Sequence, residues 1–326
     1  MKILVTGGLG FIGHRVVELL EAGGHDTIIT DTLTDYGMVP QQELHALIQE
    51  RRQLIQTDKI YQFDVADQVS MTQLIQSHQP DAVVHLASFP RQKVVNANPT
   101  LGSRTMSEGL LSLLEACTRS HVNRFVYVSS SMVYGNFQEE HVQGLHESAQ
   151  CRPIGQYGIM KLAGEWLVRD YADRSGLDYT ILRPSAVYGP RDVEDRVVSK
   201  FLLTAMRGGV IQVNGANEYL DFTHVDDAAQ GIVLATLSDN SRNNTYNITR
   251  GTSRNLMEAA HLAVAIAGSG SIQINPRDCK FPRRGQLNIA KAEQDFAFTP
   301  TIDIEQGFEN YSQWLKHSFY RNKKTV

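Results

Sequence analysis

Cysteine is scarce: the chain has three, Cys117, Cys151 and Cys279, in 326 residues. Their spacing fits neither a CxxC pair nor a zinc-ligand pattern, so no metal is expected. A sparse, odd set argues for reduced thiols and a cytoplasmic protein. Long apolar runs are missing too. No stretch reaches the roughly 18 residues that a membrane-spanning helix needs. The apolar residues after Met1 and Lys2 are too few for a signal peptide, so a soluble chain without membrane contact is expected. No excess of one charge exists: 31 Lys and Arg face 35 Asp and Glu, a net charge of −4. Without a basic stripe, nucleic acid is not an expected partner. Internal repeats, low-complexity stretches and Pro/Ser-rich linkers are likewise absent.

What is present reads as an ordinary globular composition, with 42% hydrophobic and 20% charged residues. Short β-branched or aromatic runs stand at residues 3–6, 27–30, 60–63, 82–86, 124–129 and 179–183. They are too apolar for half-exposed strands and suit parallel strands buried on both faces. Helical patterns lie between them. Ile12, Val16, Leu19 and Leu20 recur on one face, and Gly23-Gly24 ends that helix. Leu110, Leu113, Leu114 and Cys117 repeat the pattern. This alternation predicts an α/β fold with a doubly wound parallel sheet, of Rossmann type. Residues 42–55 read as an extra surface helix. After Gly189-Pro190 the rhythm changes. Helices near 197–206 and 256–267 mix with short strands at 211–213 and 246–248, as expected for a smaller lobe. The expected division is a cofactor domain over 1–183 and a mainly substrate-binding lobe over 184–326, with some segments returning to the first.

Gly7, Gly10 and Gly13 follow the first strand and open the first helix. Glycine permits a tight turn and close backbone approach to a pyrophosphate, and the helix N-terminus offers it free N–H groups. A plain strand–helix turn is the bland alternative. Asp31 ends the second strand, where a carboxylate accepts hydrogen bonds from the ribose hydroxyls of NAD and repels the extra phosphate of NADP. Thr32, Leu33 and Thr34 supply no arginine for that phosphate. Asp64, ending the third strand, either meets the adenine edge or caps the helix beginning near Asp67. Tyr157 and Lys161 stand at i and i+4, on one face of a helix. A phenol is a poor base at neutral pH, and a neighbouring ammonium favours its ionised form.

These motifs resemble those of the NAD-dependent sugar-nucleotide epimerase/dehydratase family, the extended short-chain dehydrogenases. The matching stretches are TGGLGFIG (6–13), HLAS (85–88), SSSMVYG (129–135), YGIMK (157–161), RPSAVYGPR (183–191), DFTHVDD (221–227) and RRGQ (283–286). The resemblance implies catalysis by Ser130, Tyr157 and Lys161. It implies a cofactor site of Gly7, Gly10, Phe11, Ile12, Gly13, Asp31, Asp64, Val65, Leu86, Ala87, Ser88 and Pro184, with Tyr157 and Lys161. His85 is read as a packed strand-end residue. A homodimer is expected, through the Leu110 helix and the one carrying Tyr157.

Dehydratases of the family carry Asp and Glu after the catalytic hydroxyl, where this chain has Ser131 and Met132. A thioether cannot protonate a leaving hydroxyl, so dehydration is disfavoured. Two positions that commonly contact a diphosphate are Ala186 and Leu220 here, and a supporting Asn is Met106. Arg91, Lys93, Arg283 and Arg284 are the candidate replacement cations. The expected substrate contacts are Lys93, Ser131, Met132, Arg191 and Arg284. The leading expectation is a 4-epimerase of a nucleotide sugar, most simply a UDP-sugar, acting through a 4-keto intermediate. The alternatives are a dehydrogenase of a sugar acid or other small hydroxy compound, and a regulator that binds NAD without turnover.

Overall fold

The computed structural model describes residues 1–89, 91–137, 144–193, 195–279 and 281–322. Seven strands form one sheet: β1 (Lys2–Thr6), β2 (Asp26–Asp31), β3 (Ile60–Gln62), β4 (Ala82–His85), β5 (Arg124–Val128), β6 (Asp178–Pro184) and β7 (Asn244–Ile248). Their spatial order is β7-β6-β5-β4-β1-β2-β3, and every pairing is parallel. β4 and β5 are buried along their whole length, as the unbroken apolar runs require. One core face joins Ile3, Val5, Val84, Val126 and Ile248. The other joins Leu4, Val83, Phe125 and Ile181 to the helix α4 (Gly109–Arg119). The order of connection reverses between β1 and β4, which opens a crevice at the carboxyl ends of the strands.

Residues 246–248 do not belong to the smaller lobe, as the reading above placed them. They are the end of β7, and fully buried Tyr246 and Ile248 complete the main core. The chain returns to the sheet through α7 (Val225–Leu237), a helix not read from the sequence. It packs beside α1 (Gly13–Ala22) and against β6 and β7, and is buried on most sides. It therefore lacks the polar face that makes a helix legible.

A second core lies around Phe201, Leu202, Phe222, Ala263, Phe308 and Tyr311. It is built from α6 (Val197–Met206), α8 (Leu256–Ala267) and α9 (Ile304–His317). The helix α2 (Gln41–Arg52) also reaches into it through Leu47, and its Glu43 and Arg51 are buried. It is thus a strut between the two cores rather than a surface helix. Helices α3 (Gln68–His78) and α5 (Gln156–Ser175) complete the layers over the sheet. Among the described residues no helix is long and apolar enough to cross a membrane.

Candidate active site

The glycine turn is shaped by close approach. Gly7 has φ +69°, and a Cβ there would stand 2.8 Å from the Ala87 backbone nitrogen. A Cβ on Gly13 would collide with the Gly7 carbonyl oxygen. The Gly10 amide donates to that oxygen at 3.0 Å and closes the turn. Among the described residues no side chain caps α1 at Ile12, so the helix presents its first amides beside Phe11 and Gly13 to a ligand. These features fit a dinucleotide pyrophosphate. At the end of β2, Asp31 accepts from the amides of Leu9 (3.0 Å) and Leu33 (2.8 Å). Burial pushes its carboxyl up, while those amides and the Arg51 charge pull it down.

Arg51 went unnoticed in the sequence because it lies 20 positions beyond Asp31, on another element. Its guanidinium donates to the carbonyls of Leu9 (3.1 Å) and Arg191 (2.7 Å). Asp64 accepts from the Ala66 amide at 2.9 Å, whereas Asp67 caps α3. The cap reading of Asp64 is thereby replaced. Val65 is buried against Gly109. The Leu86 and Ala87 amides reach the Thr6 carbonyl (3.1 Å) and hydroxyl (3.2 Å), and the Ser88 hydroxyl donates to the Phe89 carbonyl. Pro184 ends β6 at the same edge of the sheet.

Ser130 follows β5, and Tyr157 lies in the first turn of α5. The Ser130 hydroxyl stands beside the phenol and favours its ionised form. Burial pushes the Tyr157 phenol up, and the Ser130 contact with the charges of Arg196 and Arg284 draws it down. Lys161 is buried, and its Nζ donates to the Val128 carbonyl at 2.8 Å. Burial lowers its pKa to about 7, opposed by the charge of Glu165. Glu165, fully buried one further turn along α5, accepts from Ser129 Oγ (2.7 Å) and from Arg183 Nε (2.9 Å) and Nη2 (2.7 Å). This pair pins the helix carrying Tyr157 to the strand ends beside Ser130. Its i, i+4, i+8 spacing from Tyr157 and Lys161 was visible in the sequence.

Arg284 enters from the C-terminal part of the chain. Its Nη2 donates to Ser131 Oγ (3.1 Å) and Ser185 Oγ (2.6 Å). Burial lowers its pKa to about 10, opposed by the charge of Asp221. Arg196, at the start of α6, also faces the phenol and was not singled out in the sequence. Met132 is nearly buried, and its amide donates to Ser130 Oγ. Met106 packs with Phe89 and Val95 against Tyr157. Two further expected contacts have charged neighbours of their own. Lys93 is exposed, with Nζ 3.6 Å from Asp195. Arg191 has Glu50, Arg15, Glu18 and Asp226 as its charged neighbours, on the side of the glycine turn. Arg91 is engaged by Asp195, and Arg283 is exposed.

Comparison with known proteins places this geometry. The model of the NAD dependent epimerase/dehydratase family matches residues 3–249. An uncharacterized UDP-glucose epimerase of Bacillus subtilis, YtcB, is 27% identical, over 99% of this chain and 100% of that protein. A dTDP-glucose 4,6-dehydratase of Streptomyces niveus is also 27% identical, over 97% of this chain and 93% of its own length. The crystal structure of a Bacillus cereus UDP-glucuronic acid 4-epimerase, in complex with UDP-glucuronic acid and NAD, superposes with a TM-score of 0.87 at 25% identity. That match covers 97% of this chain and 99% of the other. By sequence and by fold, this chain belongs to the NAD dependent epimerase/dehydratase family.

Proposed function

We propose that the chain is a UDP-sugar 4-epimerase, with Ser130, Tyr157 and Lys161 as its catalytic residues. The observation that carries this reading is the Tyr157–Lys161 pair on one face of α5, with Lys161 buried on the Val128 carbonyl (2.8 Å) at the end of the strand that leads to Ser130, and the charges of Arg196 and Arg284 favouring the ionised phenol. The ionised phenol accepts the proton of the sugar C4 hydroxyl, while Ser130 hydrogen-bonds the same oxygen. The proton returns by the reverse path once the keto sugar has turned over. NAD, when bound, would supply a reversible hydride acceptor for C4. The glycine turn, Asp31 and the residues after β3 and β4 would hold it. Lys161, on the same helix face as Tyr157, adds positive charge beneath the site.

Dehydration is a known activity among the relatives, but Met132 offers no proton at the position where it is needed. In this reading residues 1–183 carry the cofactor and residues 184–326 mainly the substrate, with β7 rejoining the first part. Ser131, Met132 and Arg284 line the sugar nucleotide, and Lys93 and Arg191 stand outside the immediate reach of Tyr157. Exposed Ile159 and Trp166 on the outer face of α5 support a homodimer. Three unpaired cysteines suit the cytoplasm.

A second reading, NAD-dependent oxidation of a sugar acid, is favoured by Arg196 and Arg284 beside Tyr157, together with the loss of diphosphate contacts at Ala186 and Leu220. One experiment separates the two. Purified protein is incubated with a panel of UDP-sugars and free sugar acids, with products followed by NMR and NADH by absorbance. A new stereoisomer without net NADH supports the epimerase, and accumulating NADH supports the dehydrogenase. A product lighter by one water would refute both.

A further inference from the structure

Asp221 lies behind the site and takes no part in the chemistry above. It is fully buried, at the end of a two-residue strand, Tyr219–Leu220. Its Oδ2 accepts from the Leu287 amide (3.1 Å) and from Thr249 Oγ1 (3.0 Å). The first of these donors is three residues beyond Arg284, and the second directly follows β7. Oδ1 is buried without a hydrogen-bond partner among the described residues. A buried carboxyl oxygen left in this way favours the protonated acid, and burial pushes Asp221 up to about 7. The hydrogen bonds from Leu287 and Thr249 and then the charge of Arg284 oppose that rise, while the charge of Asp221 in turn favours the ionised guanidinium. Leu287 itself is fully buried and packs under Val133 and Tyr134, in the turn that follows Ser130. The Arg284–Leu287 segment is thus anchored at its far end by Asp221, while Arg284 holds Ser131 and Ser185 at its near end.

We propose that Asp221 is a positioning residue for the reaction, fixing Arg284 at Ser131 and Ser185 beside the Tyr157 phenol through the Leu287 amide and through its own charge. The inference rests on the reading of Arg284 as a substrate contact. Asp221 touches neither substrate nor cofactor, so its loss should appear in substrate binding before it appears in cofactor retention.

The test uses full-length protein carrying NAD and the UDP-sugar that the wild type turns over. Asp221→Asn keeps an acceptor for Leu287 or Thr249 and removes the charge. It should raise KM about tenfold, the size of one lost charge-assisted contact, with a smaller fall in kcat and unchanged NAD content. Arg284→Met alone should raise KM, and the double variant should raise it no further, because Asp221 acts through Arg284. If Asp221→Asn does not fold, Thr249→Val removes one donor to the same oxygen and should still raise KM, roughly threefold. An unchanged KM in the folded variants overturns the inference, as does full additivity with Arg284→Met. So does a loss of NAD and kcat together with no separate effect on KM, the result of a merely structural role. A wild type that neither binds nor converts any nucleotide sugar removes the reading of Arg284, and this inference with it. Normal wild-type turnover beside an unaffected Asp221→Asn removes this inference alone.

Discussion

Tyr157 is acted on by opposing influences: burial resists its ionisation, and Ser130, Arg196 and Arg284 favour it. Lys161 takes a different role from a simple ion partner, because its ammonium is spent on the Val128 carbonyl. Tyr157→Phe keeps the ring and loses the proton acceptor. Turnover should fall by about 100-fold or more, with NAD still bound, since general acid–base groups contribute on that order. Lys161→Met should lose both turnover and NAD. Stopped assays with NAD content measured by acid extraction check both, and near-normal turnover in Tyr157→Phe would sink the assigned mechanism. His85 illustrates a residue whose burial has a consequence for pH. Burial and the Lys161 charge lower its pKa from 6.5 to about 3, and its Nδ1 meets Thr6 Oγ1 at 2.7 Å. Between those two values the unfolded chain binds a proton that the native imidazole refuses. The stability contributed is present above about pH 6.5 and is lost as pH falls toward about 3. His85→Gln removes this titration. Its melting temperature should gain on the wild type as pH drops from neutrality into that window, and parallel melting curves would contradict the assignment.

At the scale of elements, the β1–turn–α1 unit works because Gly7 and Gly13 lack Cβ atoms that would collide with neighbouring backbone. Gly13→Ala should destabilise the protein by about 2 kcal/mol or more, as overpacking against rigid backbone does, and should abolish NAD binding. Urea melts and calorimetry with NAD measure the two effects, and a variant that binds NAD normally would show the turn to be irrelevant. The next element, α2, brings Arg51 near Asp31. Its terminal nitrogens are already held by the Leu9 and Arg191 carbonyls. Asp31 therefore continues to set the preference. NAD should bind at least about tenfold more tightly than NADP, roughly 1.4 kcal/mol. Equal affinities in a titration would reassign Arg51 as a phosphate ligand.

At the scale of the molecule, two cores are bridged by α2 and by the return of β7 to the main sheet. Arg196, which starts a helix of the second core, and Arg284, from the C-terminal part of the chain, both act on Tyr157 at the strand ends. The outer face of α5 exposes large apolar side chains. Ile159 and Trp166 are 53% and 65% exposed, seven positions apart on one helix stripe. Paired with the same face of a second copy, they would form the seam of the proposed homodimer. Trp166→Glu places charges at that seam and should shift the protein to a monomer in light scattering after size exclusion, with little change in its monomeric fold. A wild type that is monomeric at micromolar concentration would remove the dimer from the proposal.

The sequence by itself determined the class of fold and the family. Apolar runs between amphipathic helices can pack only as parallel strands covered on both faces, and Gly7, Gly10, Gly13, Asp31, Ser130, Tyr157 and Lys161 sit in local patterns of short range. It was silent wherever the signal was long-range or lacked periodicity. α7 is apolar on most faces, so no stripe marked it. Residues 246–248 resembled any short strand until their pairing with β6 placed them in the main sheet. Arg196 and Arg51 look like ordinary surface charges in one dimension, and Arg284 stood there as one of four candidate cations. Only the tertiary structure decided that two of them face the phenol and that the third ties the glycine turn to the segment of Arg191, because a charge acts through distance and burial, neither of which is written along the chain.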